Sequence, residues 1–81
     1  MRLPRDLTGD ELAKTLRIFG YEIIRQTGSH MRLTTIEHGE HHITIPRAKP
    51  LRIGTLVGIL NEVCSHFNMS RDELMEKLSM P

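Results

Sequence analysis

Gly28-Ser29-His30 is the segment of this chain best suited to chemistry. Glycine lets the backbone turn tightly. The histidine that follows opens a run with strand character ending at Ile36. An imidazole titrates near neutral pH, so it takes up or releases a proton under working conditions. The motif is short, and its spacing describes a surface histidine at a strand end equally well. Gly28-Ser29-His30-Met31 also matches the scar of a cleaved affinity tag. Its internal position, between Thr27 and Arg32, and its continuation of a strand pattern mark it as native.

Phosphate chemistry needs cations near that histidine. From Arg25 to Arg52 the basic residues are Arg25, Arg32, Arg47, Lys49 and Arg52, and the acids are Glu37 and Glu40 only. The other acidic residues gather toward the ends, among them Asp6, Asp10, Asp72 and Glu76. A cationic middle can meet phosphate, although a solvated surface of mixed charge has the same composition. Arg47, Lys49 and Arg52 flank Pro50 just before Gly54-Thr55, where a helix begins. Free N–H groups at a helix start, with cations beside them, hold phosphate well. The segment Glu37-His38-Gly39-Glu40-His41-His42 carries ligand types for zinc or nickel. A metal site wants ligands fixed by surrounding structure, and this segment reads as a solvated hairpin tip, so no metal is expected there.

These residues must be placed by a small set of elements. Thr8 and Glu11 form a capping box, with Leu7 and Leu12 as its hydrophobic staple. Leu12, Leu16 and Phe19 fall on one helical face, and Gly20 is suited to a left-handed cap. Three strands are expected next, over 21–26, 30–36 and 42–46, with Ile23 and Ile24 as the apolar content of the first. Alternation sends Met31 and Leu33 to one side of the sheet and His30, Arg32 and Thr34 to the other. Ile43 and Ile45 oppose His42 and Thr44 in the same way. A second helix runs from Gly54 to about His66, with Leu56, Ile59, Leu60 and Val63 as its stripe. Ser70 and Glu73 cap a short third helix. The expected fold is α+β, a two-layer sandwich in the order helix, three-stranded antiparallel sheet, helix, with a short extra C-terminal helix. Helices cover the oily face and the polar face stays open.

Length and composition bound the function. The 81 residues suit a single domain over 1–81, with 38% hydrophobic and 26% charged residues. So short a chain has no room for a deep cofactor cavity, and no cofactor is expected. Net charge is only +1, so composition alone does not announce nucleic acid. Cys64 is the only cysteine, which favours a reducing compartment and reads as a buried, inert thiol. Met1-Arg2-Leu3-Pro4-Arg5 has no apolar run of a signal peptide, and no stretch is long enough for a membrane span. A soluble, cytoplasmic protein with no membrane partner is expected.

Taken in order, the helix ending in Gly20-Tyr21, Arg25-Gln26, Gly28-Ser29-His30, Ile45-Pro46, and Gly54-Thr55-Leu56 with Ile59-Leu60 resemble the HicA toxins of toxin–antitoxin pairs. The resemblance covers nearly the whole chain and lies in the order and spacing of these pieces. It implies a fold like the double-stranded-RNA-binding domain. It also implies an endoribonuclease, an mRNA interferase dependent on the histidine of the Gly-Ser-His motif, here His30. A HicB-like antitoxin that covers this histidine is the implied protein partner. The chain departs from the family pattern at Thr27, where many members have lysine, and at Met31, where many have a second histidine. On this reading RNA supplies its own 2′-OH nucleophile and His30 takes the proton without a metal. Gly28, Ser29, Arg25, Arg32, Lys49 and Arg52 bind the RNA, with Arg47 as a further candidate for the phosphate. The acid for the leaving oxygen falls to His42 or to water. The rival readings are a non-catalytic RNA-binding module of the same fold and a domain whose open sheet docks a protein.

Overall fold

The computed structural model describes residues 6–78, so the stretch Met1 to Arg5 and residues 79–81 lie outside the described residues. The chain runs α1 (Gly9–Thr15), a 3₁₀ turn (Leu16–Phe19), β1 (Glu22–Gln26), β2 (His30–Thr35), β3 (His41–Pro46), α2 (Ile53–Phe67) and α3 (Arg71–Leu78). The strands form one antiparallel sheet in the order β1-β2-β3. This is the α+β architecture the sequence predicts, with its boundaries shifted by a residue or two.

Local chemistry accounts for the element ends. The Thr8 hydroxyl accepts from the Glu11 backbone N–H at 3.1 Å, and the Glu11 carboxylate accepts from the Thr8 N–H at 2.9 Å. Such a cap is worth about 1 kcal/mol. Gly20 closes the 3₁₀ turn at φ +82°, a left-handed conformation open to glycine at no steric cost. Ser70 and Glu73 make the second capping box at the start of α3. Through these contacts the Glu73 carboxyl is held below its ordinary value, chiefly by the Ser70 backbone N–H.

One apolar cluster lies between the helices and the sheet. Leu12, Leu16, Leu56, Leu60 and Val63 come from the helices, and Met31, Leu33, Ile43 and Ile45 from the strands. Leu74, Met75 and Leu78 of α3 extend it. The alternation in β2 is carried out in full: Met31, Leu33 and Thr35 are buried, while His30 and Arg32 are exposed. The first strand departs from expectation. Every residue of β1 is exposed, including Ile23 and Ile24, and the apolar anchor at this point is Tyr21, fully buried just before the strand. The reason is that the helices pack over β2 and the other edge strand, β3, and leave a groove beside β1. Ile36, expected in the second strand, falls after its end and is 81% exposed.

Candidate nucleic-acid interface

The open face of the sheet is built by register. Directly paired residues in an antiparallel ladder project to the same side. Arg32 pairs with Arg25 of β1 and with Thr44 of β3, so these three make one row across the sheet. His30 pairs with Pro46 and stands one row nearer the β1–β2 turn, two residues from Arg32. That separation is about 7 Å along the strand. Arg25 reaches this face through an irregularity: the register shifts between Ile23 and Arg25, leaving Ile24 as the extra residue. A bulge re-aims the side chains after it. Without it, simple alternation from Ile23 would set Ile24, and not Arg25, against Arg32.

Two like charges directly opposite each other destabilise a sheet. Among the described residues, neither Arg25 nor Arg32 has a carboxylate partner; the ion pairs there are Arg47–Asp10 and His42–Glu40. The pair is therefore a cationic row on the open face. Arg47 is different. Its guanidinium donates to both Asp10 carboxylate oxygens, at 3.2 and 3.3 Å, which ties β3 to α1 and takes it out of the set of free cations.

His30 is exposed, but its backbone is held on every side. The Thr27 hydroxyl accepts from the His30 N–H at 3.0 Å, and the Thr27 N–H donates to the His30 carbonyl at 2.9 Å. The Arg47 N–H donates to the Ser29 carbonyl at 2.8 Å. Met31, the next residue, is plugged into the core at 2% exposure. Thr27 thus closes the turn that presents His30, and Met31 anchors the strand behind it. Both departures from the family pattern have structural employment. On the imidazole itself, Nδ1 lies 2.9 Å from the Ser29 hydroxyl, leaving Nε2 outward.

The loop 47–52 and the start of α2 reach the same end of the sheet. The far end of α2 is fixed at the β2–β3 hairpin, where His66 Nε2–H donates to the Glu37 carbonyl at 2.8 Å. Fifteen helical residues span about 22 Å, roughly the length of β3, so Ile53 returns to the His30 end. Gly9 N–H donates to the Ala48 carbonyl at 3.0 Å, which sets the start of α1 there as well. Two helix N-termini and their positive dipole ends therefore face this end of the molecule. That of α1 is capped and carries Asp10 and Glu11, whereas that of α2 has no side-chain cap and no acidic residue in its first turn. Lys49 and Arg52 are exposed beside it, and Leu51, buried and bonded through its N–H to the Leu7 carbonyl, pins the loop.

His42 is brought no closer to His30. It pairs with Thr34, four residues along β2 from His30, a separation of about 13 Å. Its Nδ1 is bonded to the Thr34 hydroxyl and its Nε2 to Glu40 at 2.8 Å. Fixed in this way, His42 does not share a site with His30. A groove of about 490 Å³ lies between α1 and β1 on the helix side, lined by Lys14, Arg17, Ile23 and Gln26 among others. His30 is not part of it and stands exposed on the other face of the sheet.

The hairpin tip is solvent-exposed over residues 37–40, as the sequence predicts, and its histidines also meet rings of α2. His38 meets the ring of Phe67 edge-on at 5.2 Å, and His41 stacks on His66 at 4.5 Å and 11°. The Tyr21 hydroxyl bonds His41 Nδ1 at 2.7 Å. Packing against α2 supplied the structure that a short polar segment lacks. No group of three or more histidine, cysteine or acidic side chains is arranged for a metal among the described residues. Burial pushes the Tyr21 phenol up, with the Glu62 carboxylate adding to it. Cys64 is half-buried, and its thiol is likewise raised by burial, as an inert thiol should be.

Burial also lowers the His41 imidazole from its ordinary value, helped by His66 and opposed by Glu62. The unfolded chain therefore takes up this proton first as pH falls, and folding stability declines from about pH 6.5 downward until the folded chain is protonated as well. Thermal melts between about pH 7 and pH 5 should show Tm falling with acidity, and falling less in His41→Gln. Equal slopes in the two proteins would remove His41 as the cause.

Comparison with known proteins adds a family match. The family model described as the HicA toxin of bacterial toxin–antitoxin matches residues 9–63, from the start of α1 to near the end of α2. Among curated proteins and among solved structures, nothing matches the chain. No helix among the described residues is long and apolar enough to cross a membrane.

Proposed function

Because the chain belongs to the HicA toxin family, we propose that it is a cytoplasmic mRNA interferase that cleaves RNA on the open sheet face, with His30 as its base. The observation that carries this reading is the unneutralised Arg25–Arg32 row one step along the sheet from an exposed histidine whose backbone is clamped. A phosphate over that row places the adjoining 2′-OH within reach of His30. Nε2 takes the 2′-OH proton, and the 2′-oxygen attacks phosphorus. The bond to the 5′-oxygen breaks, and water protonates the leaving oxygen. Arg25 and Arg32 stabilise the extra negative charge of the phosphorane, where it matters most. Lys49, Arg52 and the free N–H groups of α2 hold a neighbouring phosphate. The 2′-OH makes a metal unnecessary for this chemistry.

A toxin of this kind requires restraint, and the family implies an antitoxin. On this reading a HicB-like partner covers His30 and presents carboxylates to Arg25 and Arg32. Opposite charge also speeds such an association.

Incubation with an RNA oligomer and the same-sequence DNA, in chelator, tests the reading. RNA should yield 2′,3′-cyclic phosphate and 5′-OH ends, and DNA should stay whole. Arg32→Ala and Lys49→Ala should each weaken RNA binding and reduce its salt slope by about 1. Binding without cleavage would return the chain to the class of RNA-binding modules. Equal cleavage of DNA would remove the 2′-OH mechanism.

A further inference from the structure

We infer that Ser29 is the positioning residue of His30, its hydroxyl accepting Nδ1–H and so holding the ring in the tautomer whose Nε2 is free to take a proton. This rests on the reading of His30 as the base. The observation is the 2.9 Å contact between Ser29 Oγ and His30 Nδ1. A contact between adjacent residues acts as a constraint only if the backbone under it is fixed, and here it is. The Ser29 carbonyl is held by the Arg47 N–H, and the His30 N–H and carbonyl are both held by Thr27. Neither residue can rotate its peptide without breaking one of these bonds.

The contact can be made in two ways, and they differ chemically. If the serine O–H donates to Nδ1, the ring proton sits on Nε2, which then has no lone pair for the 2′-OH. If Nδ1–H donates to the serine oxygen, Nε2 is bare. The nitrogen that carries the proton is set by the hydrogen bond the other nitrogen makes. Only the second arrangement gives a base at the outward nitrogen. After proton transfer both ring nitrogens are donors, and Nδ1–H keeps its acceptor. The serine thus serves the resting and the protonated ring without moving. Met31 and Thr27, on either side, leave the ring with rotation about its own side-chain bonds as its main freedom, and the serine removes that.

The test compares the wild-type chain with Ser29→Ala and Ser29→Thr. Nitrogen NMR of the histidine rings, at about pH 8 where an ordinary imidazole is neutral, reads the tautomer directly and without RNA. The wild-type chain and Ser29→Thr should show His30 mainly protonated at Nδ1, and Ser29→Ala should shift the proton toward Nε2. In RNA cleavage, kcat of Ser29→Ala should fall about tenfold, a part of the 10²–10⁴-fold that a positioned base supplies, with KM little changed. Ser29→Thr should recover most of that loss. Identical His30 tautomers in wild type and Ser29→Ala, or an Nε2-protonated ring in the wild type, would overturn the inference. The two readings separate cleanly. A wild-type chain that leaves RNA intact while its tautomer depends on Ser29 keeps the positioning and removes the base. Cleavage lost in His30→Ala but unchanged in Ser29→Ala keeps the base and removes the positioning.

Discussion

His30→Ala is expected to lower the rate of RNA cleavage by about 10²–10⁴-fold, the contribution of a positioned general base. In cells, expression of the wild-type chain without its antitoxin should arrest growth, and the variant should not. The fold should survive. His30 is exposed, and among the described residues its side chain hydrogen-bonds Ser29 alone, so truncation should change stability by no more than about 0.5 kcal/mol. Cleavage rates and thermal melts on the same preparations decide the matter. A folded His30→Ala protein that cleaves as fast as wild type would sink the catalytic assignment. His42→Ala is the informative companion. Its position about 13 Å away along the sheet predicts retained cleavage. A loss as deep as that of His30→Ala would mean that RNA spans the face and engages both rings.

The second large effect concerns a residue with no chemistry. Gly9 is buried at the first position of α1, and a Cβ built there would lie 1.9 Å from the Pro46 carbonyl oxygen and 3.2 Å from the Arg47 Cα. These are backbone atoms of a paired strand, so they cannot give way as a flexible side chain would. Gly9→Ala should therefore cost about 2–3 kcal/mol, the upper part of the range for forced contacts, and lower Tm by about 10 °C or more. The displaced atoms belong to the strand end that pairs with His30 and Ser29. Cleavage should fall too, at temperatures where the variant is still folded. Gly58→Ala is the control. Gly58 is exposed within α2, and a Cβ there meets nothing within 4 Å. That substitution should raise stability by about 0.5–1 kcal/mol through helix propensity. Equal melting points for wild type and Gly9→Ala would show that α1 packs on β3 less closely than the structure has it.

Much of the candidate site is legible in the sequence. Alternation alone puts His30 and Arg32 on one polar face, because the strand period is two and Met31 and Leu33 are apolar. The caps at Thr8–Glu11 and Ser70–Glu73, and the left-handed Gly20, rest on residues within four positions of each other, so they follow from local sequence. The family pattern lay in the order of short motifs along the chain, which is a linear property.

Register and packing supply the rest of the site. Arg25 joins Arg32 because a bulge at Ile24 shifts the register, and a bulge leaves no trace in hydrophobic alternation. Ile23 and Ile24 stay exposed because the helices cover the β3 side of the sheet and not β1, which a five-residue strand does not announce. Arg47 is consumed by Asp10, 37 residues away in sequence. The hairpin histidines pack on Phe67 and His66, which α2 brings back to them across the length of the sheet. Gly9 must be a glycine because of Pro46 and Arg47, and His42 is too far from His30 because of where the strands pair. Local pattern sets which way a side chain points, since that depends on neighbours a few bonds away. Which distant group it then meets depends on register and packing, and those are settled only when the whole chain closes on its core.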